Sequence, residues 1–182
     1  MRFWNAEFAG QPRFAGATEA SLAARLREPG ELWLAVDGEI AGVAHGGVSA
    51  EADCRRRVPD WPGGTQGYVA LLAVARASRR QGVGTELWRR VRESLAGTAQ
   101  VVIDGDGRNP WWSKPPVFGA PWGPAVAWGD SATRKFLSMR GYGARARAVE
   151  FEEGVVVPDA EPERYAELVK GGIRRLAEWA LY

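Results

Sequence analysis

The feature that most limits the fold is a glycine-bearing turn joining an apolar strand to an amphipathic helix. Residues 67–74, Gly-Tyr-Val-Ala-Leu-Leu-Ala-Val, form a nearly continuous apolar run of strand length. A short arginine-rich link follows. Gly82-Val83-Gly84 then opens a helix whose inner face is Leu87, Trp88, Val91 and Leu95. The first turn of a helix carries N–H groups without an intrahelical acceptor, at the positive end of the macrodipole. Glycines let an anion approach those donors, and Arg79 and Arg80 add charge complementarity. A pyrophosphate-bearing ligand fits such a turn. A helix start with tight packing and no ligand is the alternative when the two glycines are taken alone.

Two nucleotide loops fit the spacing poorly. A Rossmann turn needs Gly-x-Gly-x-x-Gly directly after its strand. Here Leu87 occupies the third glycine position, and seven residues separate Val74 from Gly82. Asp104 does lie twenty residues beyond Gly84, where a ribose-binding acid would stand, so a dinucleotide-dependent enzyme remains a weaker alternative. A P-loop needs Gly-Lys-Ser/Thr, and Gly84-Thr85 has no lysine before the hydroxyl.

The remaining pattern alternates strands and helices, as an α/β chain does. Phe3 to Phe8 is a short amphipathic opening. Thr18 can cap a helix carrying Leu22, Ala23 and Leu26, which Pro29-Gly30 ends. Leu32–Val36 and Ile40–Val48 read as strands joined by Asp37-Gly38, a strong hairpin signal. Residues 51–66 read as a loop, Val101–Asp104 as a strand and residues 105–129 as a long loop. Asp130 or Ser131 caps a helix that Gly141 terminates. Ala146–Phe151 reads as a strand, Glu161–Lys170 as a helix, and residues 173–182 as a final amphipathic piece.

Composition excludes several classes. At 182 residues the chain is of one-domain size and long enough for a core without disulfides or metal staples. It has one Cys and one His, which leaves no internal disulfide and no multi-His or Cys-based metal site. No apolar run reaches the length of a membrane span, and the first residues lack a signal core, so a cytoplasmic location is the default. The net charge of +2 does not point to nucleic acid.

The stretch Val74-x4-Arg79-x-x-Gly82-x-Gly84 resembles the acetyl-CoA signature, Arg/Gln-x-x-Gly-x-Gly/Ala, of the GNAT N-acetyltransferase superfamily. Asp130-Ser-Ala-Thr-Arg-Lys-Phe-Leu-Ser-Met-Arg-Gly-Tyr142 is similar to that family's second motif, Asn-x-x-Ala-x-x-Leu-Tyr-x-x-x-Gly-Phe. Element order matches from about residue 31 to residue 151. The resemblance implies a central mixed β-sheet flanked by helices. Leu72, Ala73 and Val74 would hold the pantetheine arm through their backbone. The N–H groups of Arg79, Arg80, Gln81, Gly82, Val83, Gly84 and Thr85 would cradle the pyrophosphate. A primary amine, on a small molecule or a peptide, would attack the acetyl carbonyl in a ternary complex. Backbone N–H groups near Ala73 would polarise the thioester oxygen.

Two departures bear on catalysis. Leu137 stands where the family often has a Tyr that protonates the leaving thiolate, and Asp130 replaces the usual Asn. The strand 67–74 also has no carboxylate to act as amine base. A non-catalytic acyl-CoA-binding or interaction module of the same fold is therefore the competing reading.

Other candidate groups each admit a structural role. His45 lies among small residues on a strand that in the family can line the acceptor site. Asp104 and Asp106 follow a strand end, the usual place for chemistry in α/β sheets, although Asp106-Gly107 is equally a turn. Tyr68 reads as packing or pocket wall. Glu51, Asp53 and Arg55–Arg57 read as solvated loop charges, and Cys54 as an incidental thiol. Of the nine Trp, four fall within 111–128. Trp111, Trp112, Phe118, Trp122 and Trp128 would wall an apolar acceptor pocket, form a protein interface, or pack locally.

The expected organisation is an acetyltransferase domain over 1–157 and a helical extension over 158–182. Phe3–Phe8 matches the end of the family's first helix, with no first strand before it, so that strand is absent or the start misplaced. Residues 173–182 would supply missing contacts as a helix or a strand, within one chain or by exchange in a homodimer.

Overall fold

A computed structural model of the chain describes residues 2–9, 16–25, 27, 30–49, 63–103, 126–127, 130–143, 146–151, 156–158, 163 and 175–181; for residue 25 and for 126–127, 146–151, 156–158 and 175–181 it describes the backbone alone. Two compact units divide between Ile103 and Asp104, and each stands on its own contacts.

The first unit opens with α1 (Arg2–Phe8) and α2 (Glu19–Arg25). Phe3, Trp4 and Phe8 are buried, and the Trp4 ring meets both phenylalanines at 5.6 Å between centroids. Asn5 ties α1 to the approach of α2, accepting from the Ala17 N–H at 2.8 Å and donating to the Ala17 carbonyl at 3.3 Å. Thr18 caps α2 as expected. Its hydroxyl accepts from the Ser21 N–H, and the Ser21 hydroxyl accepts from the Thr18 N–H, a reciprocal arrangement that satisfies two helix-end donors.

Next come β1 (Glu31–Asp37) and β2 (Glu39–Ser49), an antiparallel hairpin turning at Gly38. β3 (Gln66–Val74) pairs antiparallel with β2, a 3-10 turn (Arg76–Ser78) follows, and α3 (Val83–Ser94) leads to β4 (Gln100–Ile103), parallel to β3. The four strands lie in the order β1-β2-β3-β4, a mixed sheet.

The sequence of β2 explains how closely α3 lies on this sheet. Alternate residues face opposite sides of a strand. A Cβ on Gly42 would meet Leu87 Cδ1 at 2.8 Å, and one on Gly46 would meet Val91 Cγ1 at 2.8 Å. The glycines thus make room for the apolar face of α3. Leu87, Trp88, Val91 and Leu95 are buried, as their helical spacing predicts, and Val43 on the opposite face of β2 is 0 % exposed.

The outer face of α3 carries charge. Glu86 bonds Arg89 and Arg90, and Arg89 also reaches Glu93. Arg90 lies 5.7 Å over the Trp33 ring of β1. The bonds from Arg89 first, then Arg90, hold the Glu86 carboxyl at about 2 rather than 4.5. A lowered folded-state pKa contributes stability that is present above the unfolded value and lost as pH falls toward the folded one. The melting-temperature gap between wild type and Glu86→Gln is therefore expected to hold at pH 5–7 and to close between 4.5 and about 2. A gap independent of pH across that window would contradict the assignment.

The second unit contains β5 (Val126–Ala127), α4 (Ser131–Ser138), β6 (Ala146–Phe151), β7 (Val156–Pro158) and β8 (Arg175–Leu181). Asp130 caps α4, accepting from the Thr133 N–H at 3.0 Å and the Thr133 hydroxyl at 2.6 Å. At the other end Gly141 takes a left-handed φ of 83°. The Gly141 N–H reaches the Ser138 carbonyl and the Tyr142 N–H reaches the Leu137 carbonyl, the paired bonds of a Schellman stop.

The strands order as β5-β8-β6-β7, all antiparallel. Two expectations change here. Residues 175–181 form a strand, one of the two states expected for 173–182, and this corrects the helical extension expected over 158–182. Leu176-Ala-Glu-Trp-Ala-Leu181 is too short for helical period to settle its state, and it pairs with β6 along its length and with β5 at Trp179 and Ala180. β8 is thereby inserted between two strands of its own chain. Val126–Ala127, expected within a long loop, is a short strand on the outer edge of β8. The expected helix at 161–170 lies outside the described residues except for Glu163.

Candidate functional site

The apolar run of β3 does more than fill the sheet. Its pairing with β2 shifts register between His45 and Gly46, which leaves Ala70 as an extra residue on β3. Such a bulge bends and twists the strand that carries it. The pairing with β4 covers only Gln66 to Val69, opposite Gln100 to Ile103. Beyond the bulge, Leu71–Val74 has no strand partner on the β4 side among the described residues.

Register then decides which backbone groups face that open side. The Ala75 N–H donates to the Ala41 carbonyl at 2.8 Å. Hydrogen-bonded and non-bonded pairs alternate along an antiparallel ladder. Ala73 is therefore turned toward Val43 on β2, while Leu72 and Val74 turn their backbone groups to the open side. Of the three residues expected to hold a pantetheine arm, Leu72 and Val74 present that edge and Ala73 does not. The same parity sets the Ala73 N–H against β2, so an oxyanion donor near Ala73 would come from the N–H of Leu72 or Val74.

The loop from Arg79 to Gly84 follows directly. Arg79 is extended (φ −69°, ψ 151°), Arg80 is left-handed (φ 65°), and Gly82 is left-handed (φ 86°) as the residue before α3. A left-handed arginine carries strain of about 1–2 kcal/mol that glycine does not. The two left-handed residues turn the chain sharply between the 3-10 turn and α3. A Cβ on Gly82 would meet nothing within 4 Å, so the space before the helix is open. Among the described residues no acceptor faces the N–H of Gly82, Val83 or Gly84. Thr85 is exposed on the first turn of α3, and the Gln81 side chain donates back to the Ala77 carbonyl at 2.9 Å.

The two arginines have different tasks. Arg79 donates from Nε to the Val74 carbonyl at 3.0 Å and from Nη2 to Glu7 Oε2 at 2.9 Å, so its charge is matched within the fold. Arg80 is exposed and has no acidic partner among the described residues, which leaves it as the loop's unmatched cation.

The other candidates fall elsewhere. His45 is 2 % exposed on the face of β2 turned away from α3, and a Cβ on Gly30 would come within 2.8 Å of its Nε2. The imidazole is thus enclosed by the backbone that enters β1. The Tyr68 ring lies across Gly47, its partner in register, and so packs on β2. Leu137 is 2 % exposed on α4. Asp104, Trp111, Trp112, Phe118 and Trp122 lie outside the described residues, as do Glu51, Asp53, Cys54, Arg55–Arg57, Asp106 and Trp128. Among the described residues no three His, Cys, Asp or Glu side chains group as a metal site requires. No described helix is long and apolar enough to cross a membrane. Sequence reasoning missed Glu7, whose contact with the loop has no local signal in the chain.

Comparison with known proteins bears on this arrangement. A family model described as the acetyltransferase (GNAT) family matches residues 2–105. No curated protein matches the chain. Among solved structures the chain is similar to a GCN5-related glucosamine N-acetyltransferase region of a fungal multi-domain GH3 beta-N-acetylglucosaminidase, at 19% identity over 91% of this chain and 18% of that one, with a TM-score of 0.54. A protein from Bacillus halodurans matches at 12% identity over 71% of this chain and 69% of that one, with a TM-score of 0.49. An aminoglycoside acetyltransferase from an uncultured soil metagenomic sample matches at 19% identity over 58% and 66% of the two chains, with a TM-score of 0.42.

Proposed function

Because the chain belongs to the GNAT acetyltransferase family, we propose that it moves an acetyl group from acetyl-CoA to a primary amine, on a small molecule or a peptide. The observation that carries this reading is the run of amides from Gly82 to Gly84 with no acceptor among the described residues, next in the chain to a β3 segment with no strand partner on the β4 side among them. The diphosphate of the cosubstrate would take the loop amides, with Arg80 as counter-charge. The amide-bearing pantetheine arm would pair with the N–H and C=O of Leu72 and the N–H of Val74, since the Val74 carbonyl already accepts from Arg79.

The chemistry then needs little beyond orientation. The amine lone pair attacks the thioester carbonyl carbon, a C–N bond forms, and the oxygen takes up the displaced electron pair. Collapse of that intermediate breaks the C–S bond and releases CoA as its thiolate. The ammonium proton passes to water, and the thiolate takes a proton in turn. Holding a reactive thioester and an amine in attack geometry is worth up to about 7–11 kcal/mol of barrier. General acid–base help adds roughly 10²–10⁴-fold.

Leu137 favours a second reading. By the resemblance it stands where a proton-donating Tyr would, and its side chain is apolar and buried. A module that binds an acyl-CoA without turnover has the same loop and strand edge and lacks only that acid.

Calorimetric titration of the whole chain with acetyl-CoA and with NAD tests the first step. Binding of acetyl-CoA with none of NAD is expected, and absence of acetyl-CoA binding at millimolar ligand defeats both readings. Release of free thiol across a panel of amines separates the transferase, which turns over, from the binding module, which does not.

A further inference from the structure

We propose that Glu7 is a positioning residue for the ligand loop, acting from α1 on the segment between β3 and α3. This rests on the acetyl-CoA reading above. The Glu7 side chain is only 10 % exposed. Its Oε1 accepts the N–H of Arg76 at 2.8 Å, and its Oε2 accepts Arg79 Nη2 at 2.9 Å. Arg79 in turn donates from Nε to the Val74 carbonyl at 3.0 Å. One carboxylate therefore fixes the start of the 3-10 turn and, through one guanidinium, the last residue of β3.

The consequence lies one residue downstream. Arg79 is held extended immediately before the left-handed Arg80, where the backbone reverses hand two residues ahead of the amides of Gly82 to Gly84. A left-handed arginine persists only where its surroundings over-determine it. The Glu7 clamp supplies that constraint on one side and the Gly82 cap of α3 supplies it on the other. α1 can bear the load because Phe3, Trp4 and Phe8 are buried around it and Asn5 is bonded twice to Ala17.

Electrostatics and positioning predict opposite signs here. Removing the carboxylate unmasks the Arg79 charge, which by itself would strengthen binding of a diphosphate. Loss of positioning weakens it. The test titrates the full chain with acetyl-CoA, comparing wild type, Glu7→Ala and Glu7→Gln. Amide hydrogen exchange over residues 75–85 is measured in parallel without ligand. Glu7→Ala is expected to weaken binding about tenfold. Glu7→Gln, which keeps an acceptor for the Arg76 N–H, is expected to lose about threefold. Exchange in the loop should quicken in the same order. Binding by Glu7→Ala as tight as wild type, or tighter, overturns the inference and leaves the acetyl-CoA reading standing. Unchanged loop exchange in both variants also overturns it, whatever the ligand does. Failure of the wild-type protein to bind acetyl-CoA overturns the functional reading and this inference with it.

Discussion

Gly46→Val is expected to destabilise the first unit by about 3 kcal/mol or more, the upper end for overpacking a filled core. The Cβ alone would sit 2.8 Å from Val91 Cγ1 and 2.9 Å from the backbone oxygen of Tyr68. Neither neighbour can yield. Val91 is among the most deeply buried side chains, and Tyr68 is held in two strand pairings. Valine adds two further methyl groups, so α3 must lift from β2 or the sheet must bend. In a chain of this size a loss of that order lowers the melting temperature by roughly 10 °C. Thermal unfolding followed by circular dichroism measures it. Gly47→Ala is the matched control. Its new Cβ meets the far end of the Tyr68 side chain, which can swing aside, so a loss under about 1 kcal/mol is expected. Equal melting temperatures for Gly46→Val and wild type would show that the helix does not rest on β2 as described.

Gly84→Glu is expected to lower acetyl-CoA affinity by a factor on the order of a hundred or more, while the free protein keeps its fold. Gly84 is the second residue of α3, in the turn whose first amides have no acceptor among the described residues. A glutamate there is compatible with the helix, since acidic residues are favoured in a first turn and glycine is a poor helix former. The same carboxylate places a negative charge where a diphosphate would sit and competes for its donors. Losing charge-assisted bonds worth about 1.5–3 kcal/mol each and adding like-charge repulsion produces the large effect. Calorimetry gives the affinity, and a thermal melt within a few degrees of wild type shows that binding was lost without unfolding. Undiminished affinity in a folded Gly84→Glu protein would place the diphosphate elsewhere.

The sheet-forming hairpin, the helix after the glycine turn and the capped α4 were all legible in the sequence because each has a local cause. Asp37-Gly38 makes its own turn, Leu87-Trp88-Val91-Leu95 its own face, and Asp130 with Gly141 its own two helix ends. The glycine turn was legible as a left-handed helix entry for the same reason. What escaped depends on partners distant in the chain. Glu7 meets Arg79 across 72 positions, and nothing near either residue signals the pairing. Whether Leu72 or Ala73 faces the open edge depends on one inserted residue at the bulge, which composition does not mark. β8 is a strand because β5 and β6 flank it, whereas its own residues suit either state. The indole-rich segment between Asp104 and Asp130 was read as pocket wall, interface or packing, and its aromatic residues lie outside the described residues.

Past Val69, where the described pairing of β3 with β4 ends, the apolar run of β3 has a cost as well as a use. The backbone of Leu72 and the N–H of Val74 lie along an edge with no strand partner among the described residues, the kind of edge on which foreign strands nucleate aggregation. Natural sheets blunt such edges with charge or proline, and residues 70–74 contain neither. The bulge at Ala70 twists the strand out of the flat geometry that stacking requires, which is one defence. An amide-bearing ligand lying along Leu72 and Val74 would be the other. On the proposed reading, the ligand-free chain is expected to aggregate faster than the same chain with acetyl-CoA added, as light scattering over time would measure.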